Sequence, residues 1–142
     1  MAQWFECRAK YDKIQENGSV KKVNEPYLVD AMSFSEAEAR FIECVKPYIS
    51  GDFEVTVAKK TKICEVLVDL QADYFYLAKV AFVTIDERSA SEKRTIAQWL
   101  IGGTDFNDAY EMLLRELNKT MADTEIVSLA QTQIMQVYPT KP

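Results

Sequence analysis

Apolar and polar residues alternate strictly near the start of the chain. Phe5, Cys7, Ala9 and Tyr11 interleave with Glu6, Arg8, Lys10 and Asp12, the period-two pattern of a strand with one buried face. Asn17-Gly18 supplies residues that tolerate positive φ in a tight turn, and Val20 to Asp30 reads as the returning strand. Pro26 within it has no amide hydrogen to give a ladder, which places it at an edge or a bulge. The period changes after Ser33. Phe34, Ala37, Phe41, Val45 and Tyr48 recur at three- and four-residue spacings, forming one apolar stripe on a helix that opens with the capping box Ser33-x-x-Glu36. Pro47 ends or kinks that helix near Lys46, and Gly51 allows a sharp exit.

The same order of signals returns in the second half. Trp4 to Tyr11 aligns with Phe75 to Phe82 at an offset of 71 residues. At an offset of 72, Lys21-Lys22 aligns with Lys93-Arg94, Tyr27-Leu28-Val29 with Trp99-Leu100-Ile101, and Phe34-Ser35-Glu36-Ala37 with Phe106-Asn107-Asp108-Ala109. Glu54-Val55 with Glu125-Ile126 and Thr61-Lys62-Ile63 with Thr132-Gln133-Ile134 return to 71. The second helix starts at Asp105-x-x-Asp108 and carries the stripe Phe106, Ala109, Leu113, Leu117 and Met121. This spacing predicts an internal duplication: one domain, residues 1–142, made of two β-β-α-β repeats at 3–70 and 73–140. The alternative is two unrelated units with similar patterns. The expected fold class is α+β, a pseudo-two-fold, mainly antiparallel sheet with two packed helices.

The closing strands, about Phe53 to Leu67 and Glu125 to Tyr138, are too long to run straight. Fourteen or fifteen residues would extend close to about 50 Å, against a radius of gyration of about 15 Å for a domain of this size. They must bend or divide, and the polar stretches Lys59-Lys60-Thr61-Lys62 and Ala130-Gln131-Thr132-Gln133 are the expected break points. Each arm can then pair with its own hairpin at one end and with the other repeat at the other.

Composition narrows the chemistry. The 142 residues include no His, four Gly, three Cys and a net charge of −5. Without His there is no Ser-His-Asp or Cys-His nucleophile pair and no His-ligated metal. Cys7, Cys44 and Cys64 cannot complete a four-cysteine zinc site, and their apolar neighbours suggest buried, reduced thiols. No phosphate-loop, dinucleotide or nucleophile-elbow motif occurs. Gly102-Gly103 precedes the second helix, but Asp105 and Asp108 at its start repel an anion. The paired carboxylates Glu36 and Glu38, Asp86 and Glu87, and Asp105 and Asp108 fit caps and solvated faces, where ionisation is favoured, better than acid-base work. We therefore expect no catalytic residues, no metal and no cofactor. An N-terminus with no basic region and no apolar signal core, and the absence of a long apolar run, predict a cytoplasmic chain with no membrane span.

Two surfaces stand out. The outward parity of the first strand is charged in the first half, with Glu6, Arg8, Lys10 and Asp12, and apolar in the second, with Phe75, Leu77, Ala81 and Val83 around Lys79. Either the rest of the fold covers this apolar strand or it is an interface for a protein partner or a second copy of the chain. Cations and aromatics also recur at matched positions: Arg8 with Lys79, Lys22 with Arg94, Trp4 with Phe75, and Tyr27 with Trp99. Spaced cations and aromatics on a sheet hold single-stranded nucleic acid by stacking and phosphate contact. Arg8, Lys22, Lys79, Arg94, Trp4 and Trp99 are the candidate contacts. The acidic balance and Glu6, Asp12, Glu25 and Glu92 on the same strands weigh against them, and edge-strand lysines that block aggregation are the plainer explanation.

Several segments carry a resemblance: Gln3-Trp4-Phe5-Glu6-Cys7, Glu25-Pro26-Tyr27-Leu28-Val29-Asp30-Ala31, Phe34-Ser35-Glu36-Ala37-Glu38-Ala39-Arg40, Lys79-Val80-Ala81-Phe82-Val83-Thr84-Ile85-Asp86-Glu87 and Glu92-Lys93-Arg94-Thr95. They resemble a family of small uncharacterised proteins, a domain of unknown function, found in Bacteroidetes and their tailed phages. The resemblance covers nearly the full chain and implies an intracellular bacterial or phage protein. It brings no known activity or catalytic residue. The expected function is a non-enzymatic binding protein that presents a two-repeat sheet surface to a protein partner or forms a homodimer. The alternative is a single-stranded nucleic-acid-binding protein of phage or bacterial DNA metabolism.

Overall fold

A computed structural model describes residues 3–49, 51–67 and 72–139. The ends of the expected repeats, 68–70 and 140, lie outside these residues. The strands are β1 (Gln3–Ile14), β2 (Val20–Ala31), β3 (Glu54–Lys60), β4 (Ile63–Leu67), β5 (Tyr74–Asp86), β6 (Ser91–Gly103), β7 (Asp123–Gln131) and β8 (Val137–Tyr138). Two α-helices, α1 (Phe34–Val45) and α2 (Phe106–Asn118), follow the two hairpins.

The architecture is α+β with two four-stranded, mainly antiparallel sheets, ordered β3-β1-β2-β8 and β4-β6-β5-β7. The expectation of one sheet therefore fails. The described residues form two compact units, one running to Thr61 and resuming at Gln133, the other spanning 62 to 132.

In the first unit, β1 and β2 form a hairpin in continuous antiparallel register from Gln3↔Ala31 to Ile14↔Val20. The turn is closed by Gln15 N–H to Ser19 O at 2.7 Å and Gly18 N–H to Gln15 O at 3.0 Å. Gly18 takes φ +84° there, a left-handed conformation that glycine adopts without strain. The alternation places Phe5, Cys7, Ala9, Tyr27, Val29 and Ala31 on one face, where α1 buries them with Ala37, Phe41 and Val45. The helix starts as expected: the Ser33 hydroxyl accepts from Glu36 N–H at 3.2 Å. The Glu36 carboxylate, however, takes the amide of Met32 rather than that of Ser33. The stripe is shorter than its sequence period, because Phe34 is largely exposed and Tyr48 lies in the 3₁₀ turn Lys46–Tyr48, where Pro47 ends the helix.

The second unit follows similar rules. The β5–β6 hairpin pairs from Tyr74↔Gly103 to Asp86↔Ser91, and α2 buries Ala109, Leu113 and Leu117 against Tyr76, Ala78, Val80 and Ile101. Asp105 accepts from Asp108 N–H at 2.8 Å, and Asp108 accepts from Thr104 N–H at 2.9 Å. Gly103 permits this close start, since a Cβ there would stand 3.0 Å from Ala109 N. Met121, expected on the stripe, lies past the helix end and is fully exposed.

The long closing segments divide near the predicted points. β3 pairs antiparallel with β1 and ends at Lys60; two residues later β4 joins β6 in parallel. β7 pairs with β5 and ends at Gln131, and β8 joins β2 in parallel. A threonine marks each departure. Thr61 donates its N–H and its hydroxyl to Trp4 O, both at 2.9 Å, and Thr132 does the same to Phe75 O at 2.8 Å. Pro26 turns its backbone edge away from β1, where its carbonyl accepts from Met135 N–H at 2.9 Å, so its missing amide leaves the β1–β2 ladder intact.

Candidate functional site

Cross-strand partners share a face, so the register assigns every candidate residue to one side of its sheet. In the first unit Trp4, Glu6, Arg8, Lys10 and Asp12 of β1 face Asp30, Leu28, Pro26, Asn24 and Lys22 of β2 on the side away from α1. Trp4, Arg8 and Lys22 therefore occupy one face. Arg8 is held by Glu6 at 3.1 Å, and Lys59 approaches the same carboxylate at 3.8 Å.

In the second unit Phe75, Leu77, Lys79, Ala81 and Val83 line the face away from α2, with Gln98, Ile96 and Arg94 opposite the last three. Trp99 pairs with Ala78 on the other face and packs against Phe82, with ring centroids 6.1 Å apart. The six candidate nucleic-acid residues thus do not form one common set: Trp99 is turned from Lys79 and Arg94, and Arg94 is paired with Glu125 at 2.8 Å. Of the candidate interface residues, Phe75 and Ala81 are buried, while Leu77 and Val83 are half-buried. Ile96 and Ile85, on the same face toward the hairpin tip, are 50% and 72% exposed.

A polar cluster that the sequence pattern did not single out lies on the helix-side face of β1 and β2. Glu25 is 9% exposed and accepts from the Tyr11 hydroxyl and from Lys13 Nζ at 3.3 Å. Burial, the charge of Glu25 and a hydrogen bond to it push the Tyr27 hydroxyl up to about 12. Tyr11 is raised by burial and by its hydrogen bond to Glu25, so it stays a proton donor. Tyr27 stacks on Tyr138 at 5.9 Å, and a hollow of about 250 Å³ lies beside them, lined by Tyr48, Met135 and Gln136. The signal available in the sequence was Glu25 itself, an acid on the inward parity of β2.

The expectation of three buried thiols holds only for Cys7; Cys44 is half-buried and Cys64 is exposed on β4. Burial, with Glu38 and Glu6 nearby, pushes Cys7 up to about 11, which makes it a poor nucleophile. Among the described residues no group of three or more His, Cys, Asp or Glu is placed to hold a metal ion, and no helix is long and apolar enough to cross a membrane.

These features define an α+β protein with two hairpin-and-helix units. The chain belongs to a family described as a domain of unknown function, DUF4494, which matches residues 3–140. No curated protein and no solved structure matches it.

Proposed function

We propose that this is a non-enzymatic binding protein whose second unit engages a protein surface, with a second copy of the chain as the partner. The observation that carries this reading is the face of β5 and β6 away from α2, where the half-buried Leu77 and Val83 and the exposed Ile85 and Ile96 accompany the buried Phe75 and Ala81. Exposed apolar area of this kind is stabilised when a partner removes it from water, by about 25 cal/mol per Å². The two units are read as diverged copies of one β-β-α-β unit, supported by the matched caps and the paired Thr61 and Thr132 anchors. The resemblance noted above supports an intracellular bacterial or phage origin. Sedimentation of the wild type at rising concentration is expected to give a dimer, and Val83→Lys with Ile96→Lys a folded monomer. A wild type that stays monomeric sinks the self-association.

A second reading, binding of single-stranded nucleic acid, is favoured by Trp4, Arg8 and Lys22 sharing one face of the first sheet. Quenching of tryptophan fluorescence by single-stranded oligonucleotides at low salt tests it. No quenching counts against it.

A further inference from the structure

The β1–β2 hairpin extends beyond the strands that flank it. β3 pairs with β1 only as far as Lys10, and β8 pairs with β2 only at Leu28 and Val29. Tyr11–Ile14 and Val20–Val23 thus pair only with each other, a two-stranded ribbon reaching about 13 Å past the end of β3 pairing. Its charge departs from that of the chain. Residues 10–24 carry Lys10, Lys13, Lys21 and Lys22 against Asp12 and Glu16, a net +2 within a protein of −5. The lysines lie on both faces: Lys10 and Lys22 with the outward set, Lys13 and Lys21 with the inward set. Among the described residues Lys10, Lys21 and Lys22 stand in no ion pair, whereas Lys13 reaches Glu25.

Two details go against local stability. Lys13 and Lys21 sit directly opposite each other, a like-charge pairing that weakens a hairpin. Ile14 and Val20, paired at the tip, are 72% and 63% exposed. The other hairpin has Thr84↔Lys93 at the first of these places, and at the second an equally exposed Ile85 opposes Glu92.

We propose that this ribbon is a duplex-DNA-binding arm that enters the major groove. Cations on both faces suit a groove with phosphates along both walls, and a flat contact would leave half of them unused. The B-DNA major groove, about 12 Å wide, admits a two-stranded ribbon, whereas the deep, narrow major groove of A-form RNA does not. The phosphate walls relieve the Lys13–Lys21 repulsion, and Ile14 and Val20 meet base edges such as thymine methyls. This site lies apart from the β5–β6 face and shares only Lys22 with the single-strand reading above.

The test uses fluorescence anisotropy of a labelled mixed-sequence duplex of about two helical turns with the full chain. The wild type should bind at low salt with a dissociation constant of about 10⁻⁴ to 10⁻⁶ M, and log K should fall against log salt with a slope of about −3. Lys21→Glu with Lys10→Gln should weaken binding by about tenfold or more, while Lys46→Glu with Lys119→Gln, an equal charge change elsewhere, should not. Glu at 21 faces Lys13 and gains an ion pair, so lost binding in that variant is not a sign of unfolding. The proposal is overturned by a wild type that ignores the duplex at about 50 mM salt or by a ribbon variant that binds like wild type. Binding to anionic vesicles with none to duplex overturns it too, as does single-strand binding that quenches tryptophan and is indifferent to the ribbon variant.

Discussion

Where the first unit gathers Tyr11, Glu25 and Tyr27 on the inner face of its hairpin, the second has Phe82, Ala97 and Trp99. The registers correspond: Ala9 opposes Glu25 and Cys7 opposes Tyr27 in one hairpin, while Val80 opposes Ala97 and Ala78 opposes Trp99 in the other. One sheet carries a buried carboxylate with two phenols and a lysine; the other closes the same position with Phe82 against Trp99. The polar cluster is therefore not a requirement of this strand-and-helix packing. Its cost is borne by one unit only, and that unit also carries the basic ribbon, with Lys13 joining the two features. Outward residues of the leading strands differ in the opposite sense, with Glu6, Arg8, Lys10 and Asp12 in β1 where β5 has Leu77, Lys79, Ala81 and Val83.

The comparison breaks most sharply in the two cores. Phe41→Ala should lower stability by about 3–5 kcal/mol and Leu113→Ala by about 2–5 kcal/mol in denaturant titration. Hydrogen exchange on each variant shows whether the loss stays in its own unit or spreads through both. Next comes the polar cluster. Tyr11→Phe should cost about 1–3 kcal/mol, because Glu25 remains buried with one donor fewer. The triple change Tyr11→Phe, Glu25→Ala and Tyr27→Trp, which copies the second unit, should be far milder than Tyr11→Phe alone.

Alkaline titration probes the buried tyrosines of both units, since burial also raises Tyr76 in the second. Tyr27 and Tyr138 are held up to about 12, whereas an unfolded phenol ionises near 10. The folded state keeps protons that the unfolded state releases. Their contribution is complete below about pH 10 and is lost as pH rises toward 12. Absorbance at the phenolate band should show these tyrosines ionising late and together with unfolding; early, reversible ionisation in the folded protein would contradict the burial.

Smaller effects sharpen the likeness. Thr61→Val and Thr132→Val each remove one hydroxyl bond at the departure of an arm and should cost about 0.5–1.5 kcal/mol apiece, by similar amounts. Lys21→Glu should stabilise the first hairpin by about 0.2–1 kcal/mol by replacing a repulsive pair with an attractive one, read as a rise in melting temperature.

Much of this was legible in the residues because the relevant forces are local. Alternation from Phe5 to Tyr11, the glycine at 18, the Ser33 and Asp105 caps and the stop at Pro47 each depend on a few neighbouring positions. The ends of the apolar stripes were not legible. Phe34 packs edge-on against Phe5 yet stays largely exposed at the helix start, while Tyr48 and Met121 keep the spacing beyond the helix ends. The burial of Cys64 failed for a related reason: apolar sequence neighbours do not determine which face of a strand is covered.

The candidate sites divided in the same way. Trp4, Arg8 and Lys22 share a face because period two fixes parity along a hairpin once its turn is set. Trp99 was grouped with Lys79 and Arg94 by matched sequence position, yet it sits at odd parity to both partners across the ladder and packs on Phe82 instead. The ribbon was invisible as a unit. Its lysines appear as ordinary edge charges until the short reach of β3 and β8 shows which part of the hairpin stands alone.

By itself the sequence determined the hairpins, the helices, their caps and the need for the closing segments to break, since these follow from backbone geometry and residues close in the chain. The tertiary structure decided which sheet each arm joins, that there are two sheets and not one, which outward apolar residues lose contact with water, and that Glu25 is enclosed. Those outcomes depend on pairings between residues far apart in sequence, where burial and hydrogen-bond satisfaction are shared across the fold and no local period records them.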